Sequence, residues 1–224
     1  MARYTGPVCR LCRRHGEKLF LKGDRCFTPK CSFDRRPNPP GPRPARRRKV
    51  SDRGLQLREK QRARVAYGVL EKQFVRYYKE AIRGTGVSGE NLVRLLETRL
   101  DNIIYRIGFA DSRNQARQIV RHGLIAVNGR KLDVPSAHLK EGDTVAFTPR
   151  GIRSEYYKIV QETMKSKNPP TWLALDVANL SGRVSALQSS PTAKRTSSTR
   201  TSSSSTTRAN PAPSTCESRG LQGQ

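Results

Sequence analysis

The sequence is poor in acidic, aromatic and apolar residues, and each shortage excludes a class of protein. Its 224 residues include 18 acidic against 44 basic side chains, and only 34% of them are hydrophobic and 6% aromatic. That apolar content is enough for small cores but not for one large core. No run approaches the roughly 18 uninterrupted apolar residues of a membrane span, and the first residues lack the apolar stretch of a secretory signal. The composition therefore predicts a cytosolic protein that is neither transmembrane nor secreted.

The net charge of +26 is positive along the whole chain and is most concentrated at the N-terminus. A compact protein with this charge repels itself, so the charge is best tolerated beside a polyanion such as a nucleic acid. Residues 1–50 carry 15 basic and 3 acidic side chains, and the proline-rich stretch Pro37 to Pro44 leads into a basic run. Because proline disfavours helix, we predict that residues 37–50 form an extended arm along a phosphate backbone. A solvated linker and a basic targeting patch are the alternatives.

Four cysteines near the N-terminus have the spacing of a metal site. They are Cys9, Cys12, Cys26 and Cys31, in the pattern C-x2-C-x13-C-x4-C. Two close pairs joined by a loop allow four sulfurs to converge tetrahedrally, as Zn²⁺ requires, and the surrounding basic residues favour the thiolate form. Residues 1–36 have few apolar groups, so a metal would supply stability that a core cannot. We predict structural zinc, with a disulfide, a redox pair and an iron–sulfur cluster as alternatives. A fifth cysteine, Cys216, has no assigned role.

Two helical stretches are predicted after the arm. The first covers residues 51–83, begins at a cap formed by Ser51 or Asp52, and is weakened by its internal glycines. The second begins at a cap formed by Ser88 and ends at Gly108, with apolar residues at helical spacing. Three tyrosines of the first stretch can pack in a core or stack on bases, and packing is the commoner role. They are Tyr67, Tyr77 and Tyr78.

A third predicted helix begins at Asp111-Ser112 and carries a row of arginines. Arg113, Arg117 and Arg121 recur every fourth residue and therefore share one face. Because no carboxylate follows Asp111 on this helix, we predict that the row is unpaired and contacts successive phosphates. An ordinary solvated face is the alternative, although such faces usually mix charges of both signs.

A β-hairpin is predicted directly after this helix. Asn128-Gly129 separates two apolar runs, and an Asn-Gly pair suits a two-residue turn in which both φ angles are positive. Arg130 and Lys131 leave this turn towards solvent or a ligand. The elements together predict a small α/β module, with two helices on a small sheet and basic residues along one side. Those basic residues are Arg113, Arg117, Arg121, His122 and Lys131.

The motifs of this module, and those of its flanks, resemble one known family. In the module they are Arg99-Leu100-Asp101-Asn102, Ser112-Arg113-x-x-Ala116-Arg117-x-x-Val120-x-x-Gly123 and Val127-Asn128-Gly129. In the flanks they are Arg3-Tyr4-Thr5-Gly6-Pro7, the four-cysteine segment with Leu21-Lys22-Gly23, and Gln73-Phe74-x-x-Tyr77-Tyr78. The chain resembles the bacterial form of the small ribosomal subunit protein four family, with the RNA-binding domain named after it, from about residue 1 to residue 184.

This resemblance implies an α+β fold and a ribosomal role. The implied fold is a mainly helical N-terminal domain with a four-cysteine zinc knot, and a small α/β RNA-binding module in or beside it. The implied function is to bind small-subunit ribosomal RNA directly, nucleate assembly of the subunit body and contribute to translational accuracy. The implied partners are ribosomal proteins five and twelve and messenger RNA near its entry path, in the cytoplasm. Some family members also repress translation of their own messenger.

Pattern and resemblance together predict the site residues and the organisation of the chain. The side chains expected to contact RNA are Arg46, Arg47, Arg48, Lys49, Arg99, Arg113, Arg117, Arg121, His122, Asn128, Arg130 and Lys131. The expected segments are a metal knot (1–36), the arm (37–50), a helical body (51–92), the RNA-binding module (93–160), a return segment to the helical body (161–184) and a tail (185–224). The tail contains 11 Ser and 7 Thr, departs from the family, and is predicted to be disordered.

An enzyme and a rescue factor are the two alternatives to a structural ribosomal role. The same module occurs in RNA-modifying enzymes and some tRNA synthetases, where a separate domain performs catalysis, but this chain has no room for such a domain. Its three histidines form no visible triad with a nucleophile, and its aspartates have turn or helix-cap explanations. A factor that rescues stalled subunits is the third possibility, although such factors are usually shorter and lack the cysteines. We therefore predict no catalysis, no small-molecule substrate and no membrane partner.

Overall fold

The computed structural model describes residues 3–42, 51–164, 167 and 169–185. Near the N-terminus, α1 (Cys9–His15) and α2 (Ser32–Arg35) contact each other across a loop that contains a 3-10 turn (Gly23–Cys26). An ion pair between Lys18 Nζ and Asp34 Oδ2, 2.6 Å apart, links this loop to α2. The basic run predicted to bind RNA, Arg46 to Lys49, lies outside the described residues, as do Cys216 and nearly all of the predicted tail.

The predicted helical stretch over residues 51–83 consists of two helices. α3 (Asp52–Ala66) begins at the predicted cap, because Ser51 Oγ accepts a hydrogen bond from the Gly54 amide at 3.2 Å. Gly68 then adopts a φ of 64°, a left-handed conformation that glycine tolerates and that ends the helix. α4 (Glu71–Arg83) follows in a new direction, set by the extended backbone at Leu70.

The second predicted helix is also divided. α5 (Ser88–Glu97) and α6 (Leu100–Ile107) are separated at Arg99, whose backbone is extended, and Gly108 ends α6 as predicted. The predicted Ser88 cap is wrong, because Ser88 is the first helical residue and the preceding Val87 has no side chain that can cap. The break allows α5 to pack on α4 while α6 enters a different core.

The α/β module has the predicted third helix and a larger sheet than predicted. Ser112 Oγ caps α7 (Arg113–Arg121) by accepting a hydrogen bond from the Gln115 amide at 3.3 Å. Five strands form one antiparallel sheet in the order β2-β1-β3-β5-β4. The strands are β1 (Ile125–Val127), β2 (Arg130–Lys131), β3 (Thr144–Phe147), β4 (Leu173–Asp176) and β5 (Ser181–Val184). Two further helices, α8 (Pro149–Ile152) and α9 (Glu155–Met164), connect β3 to β4.

The last two strands correct the predicted organisation of the chain. Residues 161–184 were expected to return to the helical body, but β5 pairs with β3 through Thr144↔Arg183 and Val145↔Gly182. β4 then pairs with the other side of β5. The end of the described chain therefore completes the sheet of the module.

Two apolar clusters hold these elements together. The larger one lies between α6, α7, α9 and the sheet, and the apolar residues predicted for α6 and α7 are buried in it, among them Ile103, Ile104, Ala116 and Val120. The smaller one joins α4 to α5 through Val69, Phe74, Tyr77 and Leu96. None of the described helices is both long and apolar enough to cross a bilayer.

Candidate nucleic-acid interface

The tip of the predicted hairpin is held by its own asparagine. Asn128 and Gly129 have φ angles of 50° and 78°, as the two-residue turn requires, and Val127 pairs with Arg130 across it. Asn128 Oδ1 accepts a hydrogen bond from the Thr144 amide at 2.9 Å, and its Nδ2 donates to Asp143 Oδ1 at 2.8 Å. The Asn128 side chain, predicted to contact RNA, is therefore engaged in anchoring β1 to β3.

Beside this turn lies a row of exposed basic side chains that we call the basic edge. A Cβ at Gly123 would overlap Lys131 Cε, so the stem of Lys131 crosses the backbone directly after α7. This close approach brings strand β2 next to the C-terminal end of α7. The members of the basic edge, all exposed, are Arg121, His122, Arg130 and Lys131.

The arginine row of α7 is not the unpaired row that the sequence predicted. Arg113 Nε donates to Asn102 Oδ1 at 2.9 Å, and its guanidinium lies 4.8 Å from the ring centroid of Tyr67 and 4.5 Å from that of Tyr105. Burial lowers the pKa of Arg113. Arg117 Nη1 binds Asp101 Oδ2 at 3.1 Å, and its side chain is only 14% exposed. Arg121 is the one member of the row that is exposed.

Arg99 was also predicted to contact RNA, and this prediction is wrong because the side chain is buried. Only 3% of it is exposed, and its Nε and Nη2 atoms donate to the two carboxylate oxygens of Asp101 at 3.1 and 2.6 Å. Its Nη1 donates to the Tyr77 hydroxyl at 2.6 Å. Burial alone would lower the pKa of Arg99, but the bonds to Asp101 outweigh it and the pKa is raised. Asp101, for which the sequence suggested a turn or a helix cap, is thus the carboxylate that binds Arg99 and Arg117.

A second buried carboxylate, Glu97, ends α5 and binds two side chains of α6. It accepts hydrogen bonds from Arg106 Nη2, Asn102 Nδ2 and the Tyr67 hydroxyl, each at 2.6 Å. Burial and the nearby Glu97 charge raise the pKa of the Tyr67 hydroxyl, which therefore stays protonated as a donor. Asn102, which also accepts from Arg113, connects this network to α7. No local pattern in the sequence indicates these contacts.

The basic edge continues into a cleft on α7. This cleft, of about 330 Å³, is lined by Arg3, Arg117, Gln118, Arg121 and His122. Arg3 and Gln118 were missed by the sequence analysis, although Arg3 belongs to the N-terminal motif Arg3-Tyr4-Thr5-Gly6-Pro7. Cationic and amide donors in a cleft of this kind can bind phosphate oxygens.

The four cysteines lie in the same small N-terminal region. Cys9 and Cys12 are on α1, Cys26 ends the 3-10 turn and Cys31 precedes α2. All four are free thiols, and the last three are buried. Burial raises the pKa of the Cys12 thiol, a hydrogen bond with the Leu19 backbone opposes this, and the proximity of the other three cysteines raises it further.

Four thiols are a set of ligands that suits a thiophilic metal such as zinc. Within the described part of the chain, however, no three or more His, Cys, Asp or Glu side chains are arranged so that they could hold a metal ion. The zinc site remains a prediction.

Two family profiles match consecutive parts of the chain. The family profile described as "Ribosomal protein S4/S9 N-terminal domain" matches residues 3–97, and the one described as "S4 domain" matches residues 98–145. The protein named "Small ribosomal subunit protein uS4" from Heliobacterium modesticaldum is 56% identical over 187 residues, which are 84% of this chain and 90% of the relative. The proteins of the same name from Pelotomaculum thermopropionicum and Halothermothrix orenii are 55% and 52% identical over the same shares of both chains.

Proposed function

The chain belongs to the uS4 family of small ribosomal subunit proteins, and from this premise we propose that it binds small-subunit ribosomal RNA directly as a structural component of the ribosome. Its role is non-enzymatic, as in its relatives. The main observation that supports RNA binding is the basic edge, where four exposed side chains extend from the hairpin to the end of α7. Phosphate neutralisation by such side chains supplies affinity, and the rigid module supplies recognition of RNA shape.

The buried arginines support this proposal in a different way. Arg113 and Arg117 hold α7 to α6 through Asn102 and Asp101, and Arg99 binds Asp101 at the start of α6, so they fix the surface on which the basic edge lies. A rigid surface loses little conformational entropy on binding. We therefore assign phosphate contact to Arg121, His122, Arg130 and Lys131, and a positioning role to the buried arginines.

The finer ribosomal roles rest on the resemblance. We propose that the protein nucleates assembly of the subunit body and contributes to translational accuracy. We also propose ribosomal proteins five and twelve, and messenger RNA near its entry path, as its neighbours, and the cytoplasmic ribosome as its location. The basic run from Arg46 to Lys49 is proposed as a further RNA contact.

We further propose that Cys9, Cys12, Cys26 and Cys31 hold one structural Zn²⁺. The arguments are the four-thiol donor set, the burial of three of its members and the small apolar content around it. Bound zinc would cross-link α1, the 3-10 turn and α2, and the surrounding basic residues would favour the thiolate form of the ligands.

The experiment that tests the function measures binding of the full chain to small-subunit ribosomal RNA at several salt concentrations. With on the order of ten phosphate contacts, log K should fall against log salt with a slope of about −7 to −9. A slope shallower than about −3 would contradict the electrostatic mechanism. Cosedimentation with mature small subunits tests ribosomal membership separately, because an RNA binder outside the ribosome would show the slope without cosedimenting.

A further inference from the structure

A largely apolar cavity of about 280 Å³ lies between the N-terminal segment, the end of α3 and α7. Its apolar walls come from sequence-distant parts of the chain. They include Val8, Leu11, Phe20, Leu21, Val65 and Val69. This space adjoins the face on which RNA binding is proposed.

The cavity adjoins the basic cleft on α7. Arg3 and Arg117 line both spaces, and the cleft adds Arg121 and His122 beyond them. No carboxylate is found among the described residues that line either space. A largely apolar cavity beside a cleft lined by basic side chains and Gln118 is complementary to a group with a flat apolar part joined to an anion.

Phe20 is held at the wall of the cavity in an unusual backbone conformation. Its φ is 49°, a left-handed value that is rare for an aromatic residue. Its ring stacks on that of Phe27, with centroids 4.9 Å apart and planes inclined by 23°. Backbone strain of this kind persists where the surroundings maintain it, and it often marks a binding site. The Phe20 ring is thus fixed as a partly exposed aromatic surface beside the cavity.

We propose that the cavity and cleft together bind one unstacked nucleotide of the ribosomal RNA. The base enters the cavity against the Phe20 ring, and its phosphate lies in the cleft against Arg3, Arg121 and His122. Asn114, at the rim, carries both a hydrogen-bond donor and an acceptor for the polar edge of the base. Proteins commonly recognise unpaired bases of RNA by stacking them on aromatic or guanidinium planes.

A nucleotide accounts for both halves of this surface. An apolar side chain of a protein partner would fill the cavity but would leave the basic cleft without a counterpart. A free phosphate would occupy the cleft but not the cavity. This inference rests on the proposed RNA-binding function and adds to it a place where a single base is recognised.

The test fills the cavity without changing any charge. Ala66 lines the cavity, so Ala66→Trp should exclude the base. Ile159→Trp, at a residue of α9 that is 58% exposed, is the matched control for a new surface tryptophan. Phe20→Leu is a second variant, which keeps an apolar contact but removes the aromatic face. The full-length variants are bound to small-subunit ribosomal RNA, and their thermal melting is recorded alongside.

Two footprints separate base binding from backbone binding. Dimethyl sulfate and a carbodiimide report on the bases, and hydroxyl radicals report on the backbone. Binding of the unaltered protein or of Ile159→Trp should change the chemical reactivity of one unpaired base. Binding of Ala66→Trp or of Phe20→Leu should leave the reactivity of that base unchanged. Since stacking of one base contributes about 1–3 kcal/mol, we expect roughly tenfold weaker binding for both cavity variants, with the backbone footprint and the salt slope retained.

Two results would overturn the inference, and a third would transfer the decision to Phe20→Leu. An unchanged affinity and base footprint in Ala66→Trp would show that no base occupies the cavity, and that a segment of the chain or nothing fills it. If Ala66→Trp melts early, Phe20→Leu decides alone. If the unaltered protein fails to bind the RNA at all, the proposed function fails and this inference fails with it.

Discussion

The Tyr67 hydroxyl donates a hydrogen bond of 2.6 Å to Glu97, which lies thirty positions further along the chain. Tyr67 follows the end of α3, and Glu97 is the last residue of α5. Glu97 also binds Arg106 and Asn102 of α6. One buried carboxylate therefore connects the helical body to the α/β module.

Replacing Tyr67 by phenylalanine removes this connection and little else. A hydrogen bond to a charged group contributes about 1.5–3 kcal/mol, so we expect Tyr67→Phe to lower the free energy of unfolding by about 1.5 kcal/mol, because Glu97 keeps its other donors. Urea denaturation measures this change. Tyr78→Phe, at a tyrosine of α4 that is 51% exposed, is the control and should change stability by less than about 0.5 kcal/mol. Equal effects of the two substitutions would show that the bond to Glu97 contributes nothing.

Removing the Asp101 carboxylate should be far more damaging. Asp101→Asn leaves the buried Arg99 without its counter-ion and weakens the hold on Arg117, and breaking a buried pair in this way typically costs about 3–5 kcal/mol. The control is Glu141→Gln, where the carboxylate is half exposed and lies 3.5 Å from Arg94, and it should cost less than about 1 kcal/mol. Denaturation of both variants under one buffer condition makes the comparison. A mild loss in Asp101→Asn would mean that Arg99 finds another partner or water.

Glu97 also predicts how stability depends on acid. Burial alone would raise its pKa, but the bonds from Arg106, Tyr67 and Asn102 outweigh burial, so the pKa in the folded protein lies below the ordinary value of 4.5. The stability that ionised Glu97 contributes is fully present above about pH 4.5 and is lost as the pH falls through the lower folded value. Between pH 7 and pH 3, the unaltered protein should therefore lose more stability than Glu97→Gln. Parallel pH profiles of the two proteins would contradict this assignment.

The basic edge can be tested without disturbing the fold. Arg130 and Lys131 are exposed on β2, so Arg130→Ala with Lys131→Ala should leave the melting temperature unchanged and reduce the salt slope of RNA binding by about 0.7–0.9 per lost contact. Arg94→Ala removes one charge from α5, together with its surface ion pair to Glu141, and is the control for the loss of each positive charge. Substitution of Arg113 and Arg117 is not an equivalent test, because both side chains also hold the fold. An unchanged slope in the double variant would remove the hairpin from the RNA-binding surface.

Metal analysis tests the proposed zinc site. Elemental analysis of the unaltered protein should find about one equivalent of zinc, and Cys12→Ser should lose it, because a thiolate is replaced by a poor zinc ligand. Cys216→Ser is the matched control, since Cys216 has no place in the four-cysteine pattern, and it should keep the metal. Iron in place of zinc would support the cluster alternative, and equal metal content in both variants would refute the site.

The features that the sequence predicted correctly are those determined by neighbouring residues. The Ser51 cap bonds an amide three residues away, the third helix begins directly after the predicted Asp111-Ser112, and the Asn128-Gly129 turn needs only its own two φ angles. The apolar faces of α6 and α7 likewise follow from helical spacing alone.

The features that it missed depend on residues far apart in the sequence. The arginine row was interpreted from the charges of α7, whereas its partners, Asn102 and Asp101, lie on α6, 11 and 16 positions earlier. The same reason explains β5, whose partner β3 lies nearly forty residues before it. Charge spacing on one helix shows which face a side chain occupies but not what is packed against that face.

The sheet order has a consequence for how the protein is made. β5 is the last strand in the described chain, yet it occupies an interior position between β3 and β4. Leu180 and Val184, which are fully buried, are therefore synthesised after every other part of the core they complete. The core therefore cannot close until residues 180–184 have been synthesised. The charged N-terminal segment is thus exposed to surrounding polyanions before the module that fixes the basic edge can reach its final form.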